Sequence, residues 1–447
     1  MTAFFQSSAP VAAATPSADS TSSPQADSTS PPQASWPRTV SSPAPRDDVA
    51  PSLPAVGRPA RLVSIDAYRG LVMLLMMGEV LHLSVVAKNT HSAFWSFLAY
   101  HQTHVEYLGC SLHDLIQSSF SFLVGVALPF SISSRRARGQ SAVVMTMHAG
   151  WRALLLVALG VFLRSIDQKQ TNFSFTDTLC QIGLGYVWLF LLAFRPPRDQ
   201  WIALAVILFG YWLAFALYPV PNPPLDYAKL GIPAAWLPAH PLTGFAAHWN
   251  KYGNASWAFD RWFLNLFPRK EPFVAGNFGS TTLSFIPTLG TMVLGLLAGG
   301  VIGSDRKPAT KIRWFLIAGV ATGIIGWGLG AAGICPVVKR IWTPTWTLYS
   351  GGWCFLLLAL FYAATDVIHR RAWAFPLIVV GMNSIAAYCI AHVCVDFITK
   401  SLQTHLGEKT FRVFGSDYQA LTLGASVLLV EWLILWWMHR RKLFLKI

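Results

Sequence analysis

Ten stretches of about twenty mostly apolar residues follow one another along this chain. They lie at roughly 68–88, 113–132, 143–163, 177–194, 200–218, 283–303, 313–334, 346–366, 373–399 and 417–438. About 20 helical residues cross a bilayer core, and inside it a helix satisfies its own backbone N–H and C=O groups, as an open strand does not. The expected fold is therefore all-α, a polytopic membrane bundle of about ten transmembrane helices. Of 447 residues, 53% are apolar and 12% charged, and the 19 Trp and 29 Phe suit rings that collect at bilayer interfaces. The edges of the last two windows are indistinct, and one window is open to a re-entrant reading.

A net charge of +14 raises the question of nucleic acid, but the distribution argues for a membrane. Counting loops from a cytoplasmic N-terminus, Lys and Arg concentrate on one side: Arg58 and Arg61; Arg135, Arg136 and Arg138; Arg195 and Arg198; Arg306, Lys307, Lys311 and Arg313; Arg370 and Arg371; Arg440, Arg441, Lys442 and Lys446. That bias predicts both termini in the cytoplasm and a lipid bilayer, not nucleic acid, as the partner. Six cysteines show no CxxC pair. A disulfide between Cys110 and Cys335, both placed near the outer face, is a minor alternative to free thiols packed as small apolar side chains.

Residues 1–60 are rich in Ser, Pro, Ala and Thr and poor in large apolar side chains. Such a segment buries too little surface to offset its ordering entropy, so disorder is expected, and it lacks the continuous apolar core of a signal peptide. From 61 to 447 the chain reads as one membrane domain. Its single long connection, about 219–282, is dense in Pro and aromatic residues, among them Trp236, Phe245, Trp249, Tyr252, Trp257, Phe259, Trp262 and Phe263. A structured outer loop offering aromatic faces to a sugar is one reading; interfacial anchoring of a re-entrant segment is the other.

Ionisable groups in or beside spans are costly and mark sites of chemistry or transport. Five lie close together: His101, His104, Glu106, His113 and Asp114. His104 has the imidazole titration range of a general base, although a lone loop histidine is more often inert. Asp114 either orients such a base or caps the helix it precedes. Zinc ligation by His101, His104, His113 and Asp114 is disfavoured because no second ligand cluster appears, so no metal is expected. Asp66 and Arg69 share a helical face at the first span's mouth, as do Glu79 and His82 deeper in it; cap, topology signal and structural pairing are the bland readings. Lys339 and Arg340 sit against the charge bias in a short outer loop, as anion-binding residues would. Asn383 lies within the ninth span, where an interhelical hydrogen bond is the bland role, and His392 follows on the same segment.

Taken in order, these pieces resemble a known family. Asp66-x-x-Arg69-Gly70 opens the first span. His104-x-x-Tyr107-x-Gly109 leads to Asp114-Leu115 and Phe120-x-Phe122-x-x-Gly125. Leu179-Cys180-Gln181-Ile182-Gly183 begins a later helix. Asn265-Leu266-Phe267-Pro268-Arg269, Phe285-Ile286-Pro287, Gly295 to Gly299, Lys339-x-x-Trp342-Thr343 and Gly381-Met382-Asn383 complete the series. The set, covering about 61–440, resembles the transmembrane acyltransferases related to heparan-α-glucosaminide N-acetyltransferase, in their bacterial branch. This chain has Tyr107 where that family usually has Trp, Ser118 where it usually has Pro, and Gln181 where it usually has Arg.

The resemblance implies transfer of an acetyl or related acyl group from cytoplasmic acetyl-CoA to an amino sugar or glycan on the outer face of an inner membrane. It places the family's catalytic histidine on His104, as base or transient acyl carrier, with Asp114 orienting it. Asp66 and Arg69 would lie near the donor's route, and Lys339, Arg340, Trp342, Asn383 and His392 would contact substrate. A homodimer remains open. The alternative from a different class is a transporter of a sugar or anion, with Glu79 and His82 relaying protons; no inverted repeat is evident in support of it.

Overall fold

The computed structural model describes residues 62–237 and 241–445. The expected tail at 1–60, and Arg58, Arg61 and Lys446 of the charge pattern, lie outside the described residues. Every regular element described is helical, with one isolated β-bridge between Leu108 and Val338. The helices are α1 (Val63–Met77), α2 (Leu83–Thr90), α3 (Ala93–Gln102), α4 (Leu115–Arg136), α5 (Ala142–Ser165), α6 (Thr178–Leu192), α7 (Pro197–Leu217), α8 (Ala255–Phe263), α9 (Phe285–Ile302), α10 (Pro308–Ala331), α11 (Pro344–Phe361), α12 (Phe375–Met382), α13 (Ser384–Val393), α14 (Val395–Leu406) and α15 (Gln419–Arg440).

Among the described residues, seven helices are long and apolar enough to span a membrane, or up to nine spans if two bent pairs each count as one. This is fewer than the ten windows imply, for local reasons. The first window breaks after Met77 and bends by 47°, and the ninth bends by 71° at Asn383. The fourth becomes α6, whose 15 residues rise only about 22 Å. The first break is satisfied from outside: Gln102 Nε2 donates to Gly78 O at 2.6 Å, and Leu83 N donates to Gln102 Oε1 at 2.8 Å.

At the bundle centre, α4 packs on α9 and α1 on α12, with α11 beside α4. The α4–α9 approach depends on missing side chains. A Cβ on Gly125 would stand 2.0 Å from Met292 O, and one on Gly295 would stand 1.9 Å from Phe122 O. Small residues permit this backbone contact where apolar lipid gives helices little hydrophobic reason to associate. α5, α7 and α10 present Trp151, Phe162, Phe209, Ile324 and Trp327 outward, an apolar surface suited to lipid chains. Asp366, at the end of a wider π turn after α11, accepts from Val63 N and Ser64 N at 3.1 Å each and so caps α1.

Loops joining the helices at one end are stitched together. Gly109 N donates to Val337 O at 3.2 Å, Tyr107 Oη to Trp249 O at 2.7 Å, and Tyr211 Oη to Ile341 O at 2.9 Å. Between α7 and α9, Trp249, Tyr252 and Trp257 are buried, while Phe245, Trp262 and Phe278 are exposed. The thiol of Cys110 packs near Leu115 and Trp342, and that of Cys335 near Tyr107 and Tyr211. All six cysteines are free, so the Cys110–Cys335 disulfide is not formed.

Candidate functional site

His104 follows the end of α3, and Asp114 immediately precedes α4. The turn between them is shaped by Ser111. Ser111 N donates to Asp114 Oδ2 at 3.0 Å, and Asp114 N donates to Ser111 Oγ at 3.3 Å, a reciprocal capping box. Ser111 Oγ also lies 2.9 Å from Oδ2, and Val105 N donates to the same oxygen at 3.2 Å. That leaves Oδ1 for His104, whose Nδ1 lies 2.8 Å away.

The third member comes from the loop before α11. Lys339 Nζ is 3.2 Å from Asp114 Oδ1 and 3.1 Å from His104 Nδ1. One ring nitrogen cannot both donate to the carboxylate and accept from the ammonium. The shorter contact to an anion assigns the hydrogen to Nδ1, leaving the Nε2 lone pair free to accept a proton. Asp114 is fully buried and Lys339 nearly so, whereas the His104 side chain is 36% exposed.

The electrostatics follow. Burial alone would raise the Asp114 carboxyl, but the His104 hydrogen bond and the Lys339 charge outweigh it and hold the group well below the usual carboxylate range. Burial brings the Lys339 ammonium down to about 8, against the opposing pull of Asp114. His104 lies below the ordinary imidazole value, chiefly through burial, with the Asp114 hydrogen bond opposing and the Lys339 charge adding to the fall. At neutral pH the group is a buried carboxylate, a neutral imidazole with one free nitrogen, and an ammonium cation.

Other sequence candidates fall in three places. Arg340 adjoins the site, its guanidinium 4.9 Å from the Phe278 ring centroid and within electrostatic reach of Asp114. Trp342 lies beneath, buried against Leu115 and Trp346 with Nε1 donating to Thr291 Oγ1 at 3.1 Å. Asp66 and Arg69, 3.9 Å apart, are in the first turns of α1, at the bundle's other end. Asn383 is buried at the α12–α13 bend, where Nδ2 donates to Leu443 O at 2.9 Å and Oδ1 accepts from Leu445 N at 3.1 Å; it holds the chain beyond α15. The His392 ring stacks on Tyr388 and acts electrostatically on Glu79. The expected Glu79–His82 side-chain pairing is replaced: His82 takes a left-handed conformation (φ 48°) at the helix break, and Glu79 Oε1 meets His113 Nε2 at 2.7 Å.

Among the described residues no group of three or more His, Cys, Asp or Glu is arranged to hold a metal ion; His101 Nδ1 instead accepts from Leu112 N at 3.3 Å. Gln181 ties the start of α6 to neighbouring loops, its Nε2 2.8 Å from Phe175 O and 3.4 Å from both Thr281 O and Thr282 O. Ser111 was missed from the sequence, although Ser-x-x-Asp before an apolar run is a capping signature. Nothing local announces the contact between Lys339 and the pair His104–Asp114.

No family model matches the chain. It is 25% identical to heparan-alpha-glucosaminide N-acetyltransferase of Homo sapiens over 440 residues, and 23% identical to that of Mus musculus over 432. Each match takes in 87% of this chain, which spans about 60% of the length of these relatives. A polytopic helical membrane protein related distantly to the heparan-alpha-glucosaminide N-acetyltransferases is what sequence and fold together identify here.

Proposed function

We propose that the chain is a transmembrane acyltransferase in which His104 is the general base. The observation that carries this is the 2.8 Å contact between Nδ1 of the 36% exposed His104 side chain and a fully buried Asp114, which leaves Nε2 free. The relatives' names supply the reaction class, N-acetyl transfer to a glucosaminide. The donor is acyl-CoA and the acceptor an amino sugar or related glycan amine.

His104 Nε2 takes the proton from the acceptor nitrogen as that nitrogen bonds to the thioester carbonyl carbon. Lys339 offers an N–H to the oxygen that gains negative charge, and Asp114 stabilises the imidazolium that forms. The carbon–sulfur bond then breaks, and the leaving thiolate takes the proton back from His104. The reaction yields an amide and free coenzyme A thiol, with His104 neutral again.

A donor arriving from the opposite, cytoplasmic face of an inner membrane must reach this group through the bundle. Ser118 and Ser121 follow Asp114 by four and seven residues, on one face of α4. Their hydroxyls are buried without hydrogen-bond partners, as are Thr288 Oγ1 and Trp346 Nε1. Orphaned polar atoms cost about 1–3 kcal/mol each. A polar acyl-carrier arm lying along them would relieve that cost. Arg69 and the arginines at the far end of α4 would then meet the donor's phosphates, with Asp66 beside Arg69 near that route.

Purified protein in detergent, incubated with labelled acetyl-CoA and a panel of amino sugars, tests the reading. Transfer by the wild type and a loss of about 10²–10⁴-fold in His104→Ala is expected. Full activity in that variant removes His104 from the role. A wild type that binds no acyl-CoA, yet moves sugar or anion into vesicles, is a transporter.

A further inference from the structure

A second histidine–carboxylate pair stands directly behind the first. The His113 ring centroid lies 4.5 Å from that of His104, with the planes at 56°. On its far side, His113 Nε2 meets Glu79 Oε1 at 2.7 Å; the His113 side chain is buried, and that of Glu79 is 59% exposed. The pair depends on two built features. The break in the first span carries Glu79 out of α1, and Gln102 holds that break open from both sides. His113 N, donating to His101 O at 3.1 Å, fixes the loop that carries the ring. Neither Glu79 nor His113 is among the motif residues on which the sequence resemblance rests.

We propose that His113, clamped by Glu79, is a positioning residue for His104: it fixes the plane of that ring and, when protonated, opposes a second positive charge on it. This rests on His104 being the base. The charged groups around His104 come from four elements. Asp114, at the start of α4, favours its cation. Lys339, before α11, disfavours it, and Arg340 stands behind Lys339. His113 acts in the same sense as Lys339. Glu79, in the turn after α1, binds His113, acts directly on His104 in favour of its cation, and is itself within reach of His392 on α13. Asp114 draws a proton onto His104, whereas Lys339 on one side and His113 on the other oppose that charge. An acceptor amine could then be deprotonated at a lower pH than an isolated histidine–aspartate pair would allow.

The test reads His104 without requiring turnover. The rate of carbethoxylation by diethylpyrocarbonate, which attacks neutral imidazole, is followed at His104 by peptide mapping across pH 4–9. His113→Gln should move the midpoint up by about one pH unit, the scale of a nearby like charge. His113→Phe keeps a ring against His104 but no charge. It should shift equally if charge is the cause, whereas a packing role alone would leave it at the wild-type midpoint. Glu79→Gln removes both an anion that acts directly on His104 and the partner of protonated His113, two effects of opposite sign, so its midpoint should move less than that of His113→Gln; His113→Asn serves should either His113 variant fail to fold. An unchanged midpoint in every folded variant overturns the proposal. A shifted midpoint together with a fully active His104→Ala enzyme would leave the coupling standing and remove the base.

Discussion

Asp114 divides its two oxygens between structure and chemistry. Oδ2 accepts from Ser111 N, Ser111 Oγ and Val105 N, while Oδ1 faces His104 and Lys339. The reading of this aspartate as a helix cap is not met, since its side chain accepts nothing from the first turn of α4; it closes the turn before the helix and lies against the imidazole instead. The shifts of its neighbours set a pH window. Activity should rise as His104 loses its proton, with a midpoint below the ordinary imidazole value, because burial and Lys339 lower it. It should fall as Lys339 loses its proton near pH 8. Lys339→Met should abolish the basic limb and move the acid limb to higher pH, since a charge that opposed protonation of His104 is gone. A kcat/KM profile over pH 5–10 checks both changes, and a basic limb unchanged in the variant would exclude Lys339 as its source.

Helices here meet by backbone contact where glycine allows it and break where another element supplies hydrogen bonds. Gly295 and Gly299 on α9 face Phe122 O and Val126 O on α4, with added Cβ atoms at 1.9 Å and 2.5 Å. Gly295→Ala must therefore push α4 and α9 apart, and a loss of about 1–3 kcal/mol is expected from overpacking. The thermal midpoint of the purified protein in detergent should fall, and an unchanged midpoint would mean that the helices separate at no cost. The glycine spacing was readable in the sequence, but its partner helix was not. The first window read as one continuous span by its length and overall apolar content, with Glu79 and His82 taken as a pair inside it. The backbone groups freed at its break are satisfied by a glutamine on α3, more than twenty residues further along.

Across the whole molecule, the loops at one end form a single linked layer, and Tyr107 is a strut in it. Its hydroxyl donates to the carbonyl of fully buried Trp249, joining the His104 loop to the segment between α7 and α9. Tyr107→Phe leaves that carbonyl without its partner, at a cost of about 1–3 kcal/mol. Faster proteolytic cleavage between residues 219 and 282, with a lower thermal midpoint, is expected. Resistance equal to the wild type would show the strut to be dispensable.

The sequence by itself determined the all-helical membrane class, the positions of the apolar windows and the charge asymmetry of the loops. Each depends on composition and local periodicity against a fixed bilayer thickness. It also singled out His104, Asp114 and Lys339 as candidates. Only the tertiary structure decided that Lys339, 235 residues from His104, lies within 3.2 Å of both, that Glu79 turns to His113 rather than His82, and that Asp366 caps a helix 303 residues away. Such contacts are made by long-range packing, and no local pattern encodes which loop a helix end will meet.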